Sequence, residues 1–164
     1  MPSRSESVLS FRGAPGEYIS QGGSHHFDPT NAIFRLELLS DRTVCIRVEA
    51  KDGHDYWSIQ FSIPQGKTLR RARYSAATRC AFNPPETPGF NLSGCGRCSN
   101  SLYASFTIRG VRFSKDYTTL EFFSAVFEQR SERRDAPALK GEVRYVSPRL
   151  EKGRKVSSKV NEST

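Results

Sequence analysis

Four cysteines are the first residues whose type and spacing suggest chemistry. Cys95 and Cys98 form a C-x-x-C pair around a glycine, a spacing that lets two thiolates share a metal ion. A strong zinc signal would need a second such pair, whereas Cys45 and Cys80 stand apart from each other in the sequence. Cys80, Cys95 and Cys98 are therefore zinc ligands only if the fold brings them together with a histidine. Otherwise they are loop thiols that pair under oxidation, and Cys45 is a small buried side chain.

Histidines and nucleophilic residues form no recognisable catalytic group. His25 and His26 are adjacent, and adjacent residues on a strand point to opposite faces, so the two imidazoles do not easily share one ion. The sequence holds no G-x-S-x-G nucleophile elbow and no glycine loop placed to bind phosphate before a helix. A redox-active cysteine pair would need a βαβ context and a helix N-terminus, and neither is predicted. We therefore expect no enzyme and no bound cofactor, with His25, His26 and His54 at the surface.

Basic residues beside aromatic ones form a second group that could bind a ligand. Arg71 and Arg73 precede Tyr74 in a strand-like run, and a basic turn follows at 130–134. Basic and aromatic side chains on one sheet can bind single-stranded nucleic acid through backbone contacts and base stacking. The alternative is a solvated outer face, since arginine on the outside of a strand discourages edge pairing. Arg71 and Arg73 are thus candidate ligand contacts, with the solvated face as the favoured interpretation.

Exposed tyrosines could instead stack against sugar rings. Tyr56 alternates with Trp57 in the clearest strand of the chain, so Tyr56 should face outward if Trp57 faces the core. Tyr103 begins another strand-like run, and Tyr18 and Tyr117 fall near predicted strand ends. Tyr56 and Tyr103 are the candidate carbohydrate contacts.

The formal net charge is +8, from 25 Lys and Arg against 17 Asp and Glu. Half of this excess lies in the flanks, because residues 149–164 carry five basic and two acidic residues and residues 1–12 carry two basic and one acidic. A basic tail attracts any polyanion weakly and without sequence preference, through counterion release. A basic tail equally keeps a protein soluble, which is the interpretation we favour.

Alternating hydrophobic and polar residues predict strands in the central part of the chain. In Tyr56–Ile63, Trp57 and Phe61 share the face that should point into a core. The segment 83–100 holds three of the nine prolines and three glycines, which predicts a long loop with a short edge strand at 90–93. Further runs with strand composition are 33–38, 44–49, 69–74, 103–113, 120–129 and 139–146.

These runs predict a single all-β domain, an antiparallel β-sandwich over residues 16–146. Without helical crossovers a parallel sheet is disfavoured. Residues 1–15 are predicted to be a flexible N-terminal segment, and residues 147–164 a basic disordered tail. No run approaches the ~18 to 20 apolar residues of a membrane helix, and no secretory leader is visible, so we expect a cytoplasmic protein without a membrane span.

Several short motifs follow one another over residues 16–146. They are Tyr56-Trp57-Ser58-Ile59-Gln60-Phe61, Ala77-Thr78-Arg79, Pro88-Gly89-Phe90, Ser93-Gly94 with Gly96-Arg97, Phe106-Thr107-Ile108, Phe127-Glu128-Gln129, and Pro137-Ala138-Leu139 leading to Gly141-Glu142-Val143-Arg144-Tyr145. Their order resembles a family of uncharacterised bacterial β-sandwich domains, often found in secreted or envelope proteins beside immunoglobulin-like modules. The resemblance implies the fold and no established activity.

The resemblance also implies two cysteines, one shortly after the Gly96-Arg97 pair and one after Phe127-Glu128-Gln129, able to form a disulfide between neighbouring strands. The corresponding positions in this chain are Ser99 and Ser131. This departure from the family pattern counts against a secreted setting.

The sequence as a whole predicts a non-catalytic binding module of unknown partner. Carbohydrate or another protein is the first expectation, polyanion or nucleic-acid binding through the basic residues and tail is an alternative, and a small structural zinc or redox-sensitive protein is a third. Trp57, Phe61, Arg97, Glu128 and Arg144 are expected to be structural, with a pair between Glu128 and an arginine on an adjacent late strand fixing register.

Overall fold

A computed structural model describes residues 6–150, which form ten strands joined by turns and loops. The strands are β1 (Val8–Gly13), β2 (Ser24–Phe27), β3 (Ala32–Leu38), β4 (Thr43–Ala50), β5 (Tyr56–Ser62), β6 (Ala72–Arg79), β7 (Gly89–Gly94), β8 (Leu102–Phe113), β9 (Leu120–Ser131) and β10 (Ala138–Val146). The all-β prediction is confirmed.

Hydrogen bonds join the ten strands into one mixed sheet in the order β2-β1-β10-β9-β8-β6-β7-β5-β4-β3, which is nearly closed into a barrel. The two separate sheets of a sandwich are not seen in this pairing. Every pairing is antiparallel except a short parallel one, in which Thr78 and Arg79 of β6 lie opposite Gly89 and Phe90 of β7. The wholly antiparallel prediction was therefore wrong at this point, where a nine-residue loop suffices for a parallel neighbour.

The apolar residues that alternate with polar ones in the sequence form the core of the sheet. On β5, Trp57, Ile59 and Phe61 all point inward and are fully buried, as predicted for Trp57 and Phe61. The ring of Phe61 lies at the centre of a phenylalanine cluster, with centroids 5.1 to 5.3 Å from its nearest three neighbours. Those neighbours, Phe90, Phe106 and Phe123, belong to β7, β8 and β9. The cluster thus packs side chains of β5, β7, β8 and β9 against one another.

The N-terminal boundary predicted at residue 16 is wrong, because β1 lies within the segment expected to be flexible. Its apolar side chains, Val8, Leu9 and Phe11, are buried, and the strand pairs with β10 on one side and β2 on the other. The strand has only three apolar residues, interrupted by Ser10, which is too few to show periodicity in the sequence. Residues 147–150 are described, while the rest of the predicted tail, 151–164, and residues 1–5 lie outside the described part of the chain.

The proline-rich segment contains an interior strand, where the sequence predicted a loop with an edge strand. Pro84, Pro85 and Pro88 all precede β7, so none of them interrupts its hydrogen bonding. β7 pairs with β5 over its whole length and with β6 at its start. The neighbouring strand also differs from the prediction, since β6 covers 72–79 and not 69–74.

A side chain takes the place of a strand on the second side of β7. On this side the Phe90 carbonyl accepts from the Cys80 N–H and Gly94 pairs with Arg97, so among residues 6–150 the gap in backbone pairing lies at Leu92. There the Leu92 N–H donates to Gln129 Oε1 at 3.0 Å, and Gln129 Nε2 donates to the Leu92 carbonyl at 3.2 Å. Gln129 extends from β9 and is fully buried. Its amide therefore satisfies both polar groups of Leu92, which would otherwise be buried without partners.

Candidate functional site

Charge is divided unequally between two halves of the sheet. The strands β1, β10, β9, β8 and β6, which we call the basic half, carry eight basic and three acidic residues. The strands β7, β5, β4 and β3 carry two of each. The basic residues of the basic half are Arg12, Arg73, Arg79, Arg109, Arg112, Arg130, Lys140 and Arg144.

The charges of the other half neutralise one another across neighbouring strands. Arg35 Nη1 of β3 lies 3.5 Å from Glu49 Oε2 of β4, and Arg47 Nη1 of β4 lies 3.2 Å from Glu37 Oε2 of β3. All four side chains are about half or more exposed, so these pairs add little stability. The positive potential of the described sheet is thus confined to the basic half.

A groove of about 410 Å³ crosses the outer surface of the basic half. It is lined by β6 at Ala76–Thr78, by β8 at Tyr103 to Ser105, and by Glu128, Arg130 and Arg134. β6 carries a bulge here, because its register with β8 shifts between Tyr74 and Ala77 and Ala76 has a φ of 55°. A bulge bends a strand and re-aims its side chains, and bulges are frequent beside binding sites.

Tyr103 and Arg134 form the aromatic end of this groove. The Arg134 guanidinium lies 5.2 Å from the centroid of the Tyr103 ring, within the range of a cation–π contact. Tyr103 remains 40% exposed. An exposed tyrosine with a stacked arginine offers both a flat apolar surface and a positive charge to a ligand.

Arg130 connects this groove to a second one, of about 670 Å³, on the other side of the β9–β10 turn. Arg130 Nη1 donates to the Ala136 carbonyl at 2.7 Å, and Nη2 donates to Glu128 Oε1 at 3.0 Å. Arg12 and Lys140, which lie opposite each other on β1 and β10, line the second groove. Together Arg12, Lys140, Arg130, Arg134 and Tyr103 make a band across four strands that we call the basic strip.

The four predicted ligand-binding residues are only partly brought together. Tyr103 belongs to the basic strip, and Arg73 lies in the same half, exposed on β6 opposite Thr107. Arg71 is exposed just before β6. Tyr56 is 47% exposed but lies on β5, in the half with balanced charge. Arg12 and Lys140, in turn, were missed by sequence reasoning, because Arg12 fell in the segment predicted to be flexible and the pairing of β1 with β10 was not predicted.

The tyrosines considered for sugar stacking do not form a common platform. Tyr18 lies in the loop between β1 and β2, and Tyr117 in the turn between β8 and β9. Among the ring contacts of residues 6–150, none joins two of the residues Tyr18, Tyr56, Tyr103 and Tyr117. The exposed tyrosines of the described residues are therefore dispersed over the surface.

The predicted pairing of Glu128 with an arginine of the adjacent late strand is wrong in its partner. Glu128 lies opposite Lys140, so its carboxylate contacts Lys140 Nζ at 3.9 Å as well as Arg130 of its own strand. Arg144 lies four residues further along β10, where its Nε donates to the Glu6 carbonyl at 2.9 Å. The register, which sequence alone does not give, decides the partner.

Arg97 packs beside Trp57 and bonds to the backbone of the β1–β2 loop. Its Nε donates to the Ile19 carbonyl at 2.9 Å, and its guanidinium lies 5.7 Å from the Trp57 ring centroid. His25 stacks on Phe11 and meets the edge of Trp57, so it is part of this packing. His26 lies on the exposed side of the same strand, with Nε2 at 3.2 Å from Asp28 Oδ2. The contacts of this cluster therefore support the fold.

All four cysteines are free thiols. Cys95 and Gly96 form the tip of a tight hairpin between Gly94 and Arg97, with Cys95 Sγ donating to Asp55 Oδ1 at 3.3 Å. Cys98 is exposed, while Cys80 is buried at the end of β6. Within residues 6–150 no three His, Cys, Asp or Glu side chains are grouped so as to hold a metal ion. Cys80, Cys95 and Cys98 thus do not converge as a zinc site would require.

We expect the four thiols to react in a fixed order with a water-soluble disulfide reagent at neutral pH. Cys98 should react first, because it is exposed. Cys95 should follow, since partial burial raises the pKa of its thiol. Cys80 should react only when the chain unfolds, because burial raises the pKa of its thiol to about 11. Cys45 is also buried and should likewise react only on unfolding. Mass mapping of the modified cysteines over time checks this order, and early modification of Cys80 would contradict it.

Ser99 and Ser131 lie in contact. Their hydroxyl oxygens are 2.6 Å apart and hydrogen-bonded to each other, with Ser99 fully buried. These are the two positions for which the family resemblance implies paired cysteines. The resemblance itself stays a prediction.

Comparison with known proteins gave no match: no family model, no curated protein and no solved structure resembles this chain significantly. None of the described residues forms a helix of the length and hydrophobicity needed to cross a membrane.

Proposed function

We propose that this chain is a non-catalytic module that binds single-stranded nucleic acid across the basic strip. The observation that carries the proposal is the unequal charge of the sheet, with eight basic and three acidic residues in the basic half against two of each elsewhere. The phosphate groups that recur along a nucleic-acid backbone can be neutralised by such a band of cations.

The aromatic component favours single strands over a duplex. Tyr103 stands in the groove beside Arg130 and Arg134, and unstacked bases can lie on an exposed ring while arginines hold the backbone. The basic strip is built from strands and a turn, so it presents no helix that could enter the major groove of a duplex. Carbohydrate, our first expectation from the sequence, is less well supported because the exposed tyrosines are dispersed.

Neutralising two cations of the basic strip should weaken binding and lower its salt dependence. For Arg12→Gln/Lys140→Gln we expect affinity for a fluorescent single-stranded oligonucleotide of about 12 nucleotides to fall roughly tenfold, and the slope of log K against log salt to drop by about 1.4, that is, about 0.7 per lost contact. Fluorescence anisotropy at several salt concentrations measures both quantities.

The matched control is Arg47→Gln/Lys67→Gln, which removes two exposed basic residues that lie outside both the basic strip and β3. This control should bind like the unmodified chain. Equal losses in the two double variants would contradict the proposal, as would the absence of binding at low salt.

Tyr103→Ala separates nucleic acid from other polyanions. Loss of base stacking should weaken oligonucleotide binding by about tenfold and leave binding of a sulfated polysaccharide unchanged. If both ligands bind and both weaken equally, the strip recognises charge alone and the assignment to nucleic acid is wrong.

A further inference from the structure

One side of β3 has no neighbour in the described sheet, because β3 is its last strand. The Leu39 N–H donates to the Thr43 carbonyl and the Lys51 N–H to the Asn31 carbonyl, both at 2.9 Å. In this antiparallel ladder the odd-numbered residues of β3 therefore bond to β4. The N–H and C=O groups of the even-numbered residues 34, 36 and 38 point away from β4, toward the free side.

The side chains along this edge are incompletely covered. Phe34, Leu36 and Leu38 face the core but are only partly buried, whereas Val44, Ile46 and Val48 opposite them on β4 are fully buried. On the outer face, Ile33 is 45% exposed and Leu39 is 46% exposed. A groove of about 450 Å³ runs beside 36–38. Within residues 6–150 the edge thus has both unpaired backbone and incompletely covered apolar surface.

The sequence of β3 is complementary to itself in one antiparallel register. With a two-fold axis at Leu36, Arg35 lies opposite the second copy's Glu37, and Glu37 lies opposite the second copy's Arg35. The same register places Phe34 opposite Leu38 on the inner face, and the exposed Ile33 opposite the exposed Leu39 on the outer face. Opposite charges and apolar pairs directly across a ladder each stabilise it.

Neighbouring registers lack this complementarity. An axis at residue 35 places Arg35 opposite its own symmetry mate and Ile33 opposite Glu37. An axis at residue 37 places two Glu37 carboxylates opposite each other and Arg35 opposite Leu39. Like charges directly opposite are destabilising. The alternation of charge along β3 therefore selects the register centred on Leu36.

We propose that the free edge of β3 pairs with β3 of a second copy of this chain, forming a symmetric dimer centred on Leu36. Such isologous contacts use the same surface on both copies and close without further growth. Strand addition at an exposed edge provides affinity through main-chain hydrogen bonds and specificity through alternate side chains. The proposal is independent of the basic strip, none of whose residues lies on β3.

A charge-swap series tests the dimer and its register by analytical ultracentrifugation over a range of concentrations. Arg35→Glu alone and Glu37→Arg alone each place like charges opposite one another twice, and each should weaken association at least about tenfold. The double variant Arg35→Glu/Glu37→Arg should restore it. A mixture of the two single variants should form a heterodimer, because each charge again meets its opposite.

Glu49→Gln is the control, since it removes the ion pair of Arg35 within the sheet without changing the charge of β3. It should associate like the unmodified chain, and thermal unfolding verifies that each variant is folded. A chain that sediments as a monomer at every concentration overturns the proposal. So do single variants that associate as strongly as the unmodified chain, or a mixture that fails to restore association.

Discussion

Phe61→Ala is expected to lower the free energy of unfolding by about 4 kcal/mol, since truncating a buried phenylalanine typically costs 3–5 kcal/mol. Phe61 is fully buried, and its ring contacts phenylalanines from three other strands. The shortened side chain would leave a cavity between strands that hold each other in place, so little relaxation can fill it. Because domains are commonly stable by only about 5–15 kcal/mol, much of the total would be lost.

Urea unfolding followed by tryptophan fluorescence measures this change, because the only tryptophan, Trp57, lies on the same strand. Phe82→Ala provides the control, since it deletes the same atoms from a side chain that is 78% exposed. The control should change stability by less than about 0.5 kcal/mol. A similar loss in the two variants would show that Phe61 is not at the centre of the core.

Gln129→Leu is expected to cost about 3 kcal/mol although leucine is nearly the same size and more hydrophobic. The substitution removes both hydrogen-bond partners of Leu92, leaving a buried N–H and a buried carbonyl unpaired, each worth about 1–3 kcal/mol. A hydrophobicity argument alone predicts the opposite sign. The sign of the measured change therefore decides between the two explanations.

Amide hydrogen exchange gives a local measure of the same effect. In Gln129→Leu the Leu92 amide should exchange much faster relative to the other amides of β7, since those bonded to β5 keep their partners. Gln65→Leu, at an exposed turn position, is the matched control and should alter neither stability nor exchange at Leu92. Unchanged protection of Leu92 in Gln129→Leu would contradict the assigned role.

Local sequence patterns were sufficient for the strands that alternate cleanly. The strand Tyr56–Ser62 has almost its predicted bounds, because every second residue is apolar and points into the core. β1 was not predicted, because it is a short apolar cluster, and β7 was predicted only as an edge strand, because it follows three prolines. Both depend on partners far away in sequence, β10 for the first and β5 for the second, and no local pattern encodes such partners.

The candidate site was harder to predict than the fold. Arg12 and Lys140 are 128 positions apart in sequence and become neighbours only because β1 pairs with β10. Glu128 meets Lys140 and not Arg144 for the same reason, since the pairing register sets which residues are opposite. Tyr103 could be proposed from its position at the start of a strand, but its contact with Arg134 depends on the β9–β10 turn.

The unequal charge of the two halves gives the folded chain an electric dipole. Its positive end lies at the strands β1, β10, β9, β8 and β6. In the field of an approaching polyanion a dipole turns before contact is made, so a larger share of encounters begins with the basic half facing forward. Added salt shortens the range of that field to about 8 Å at physiological ionic strength, and it would therefore slow association more than it speeds dissociation.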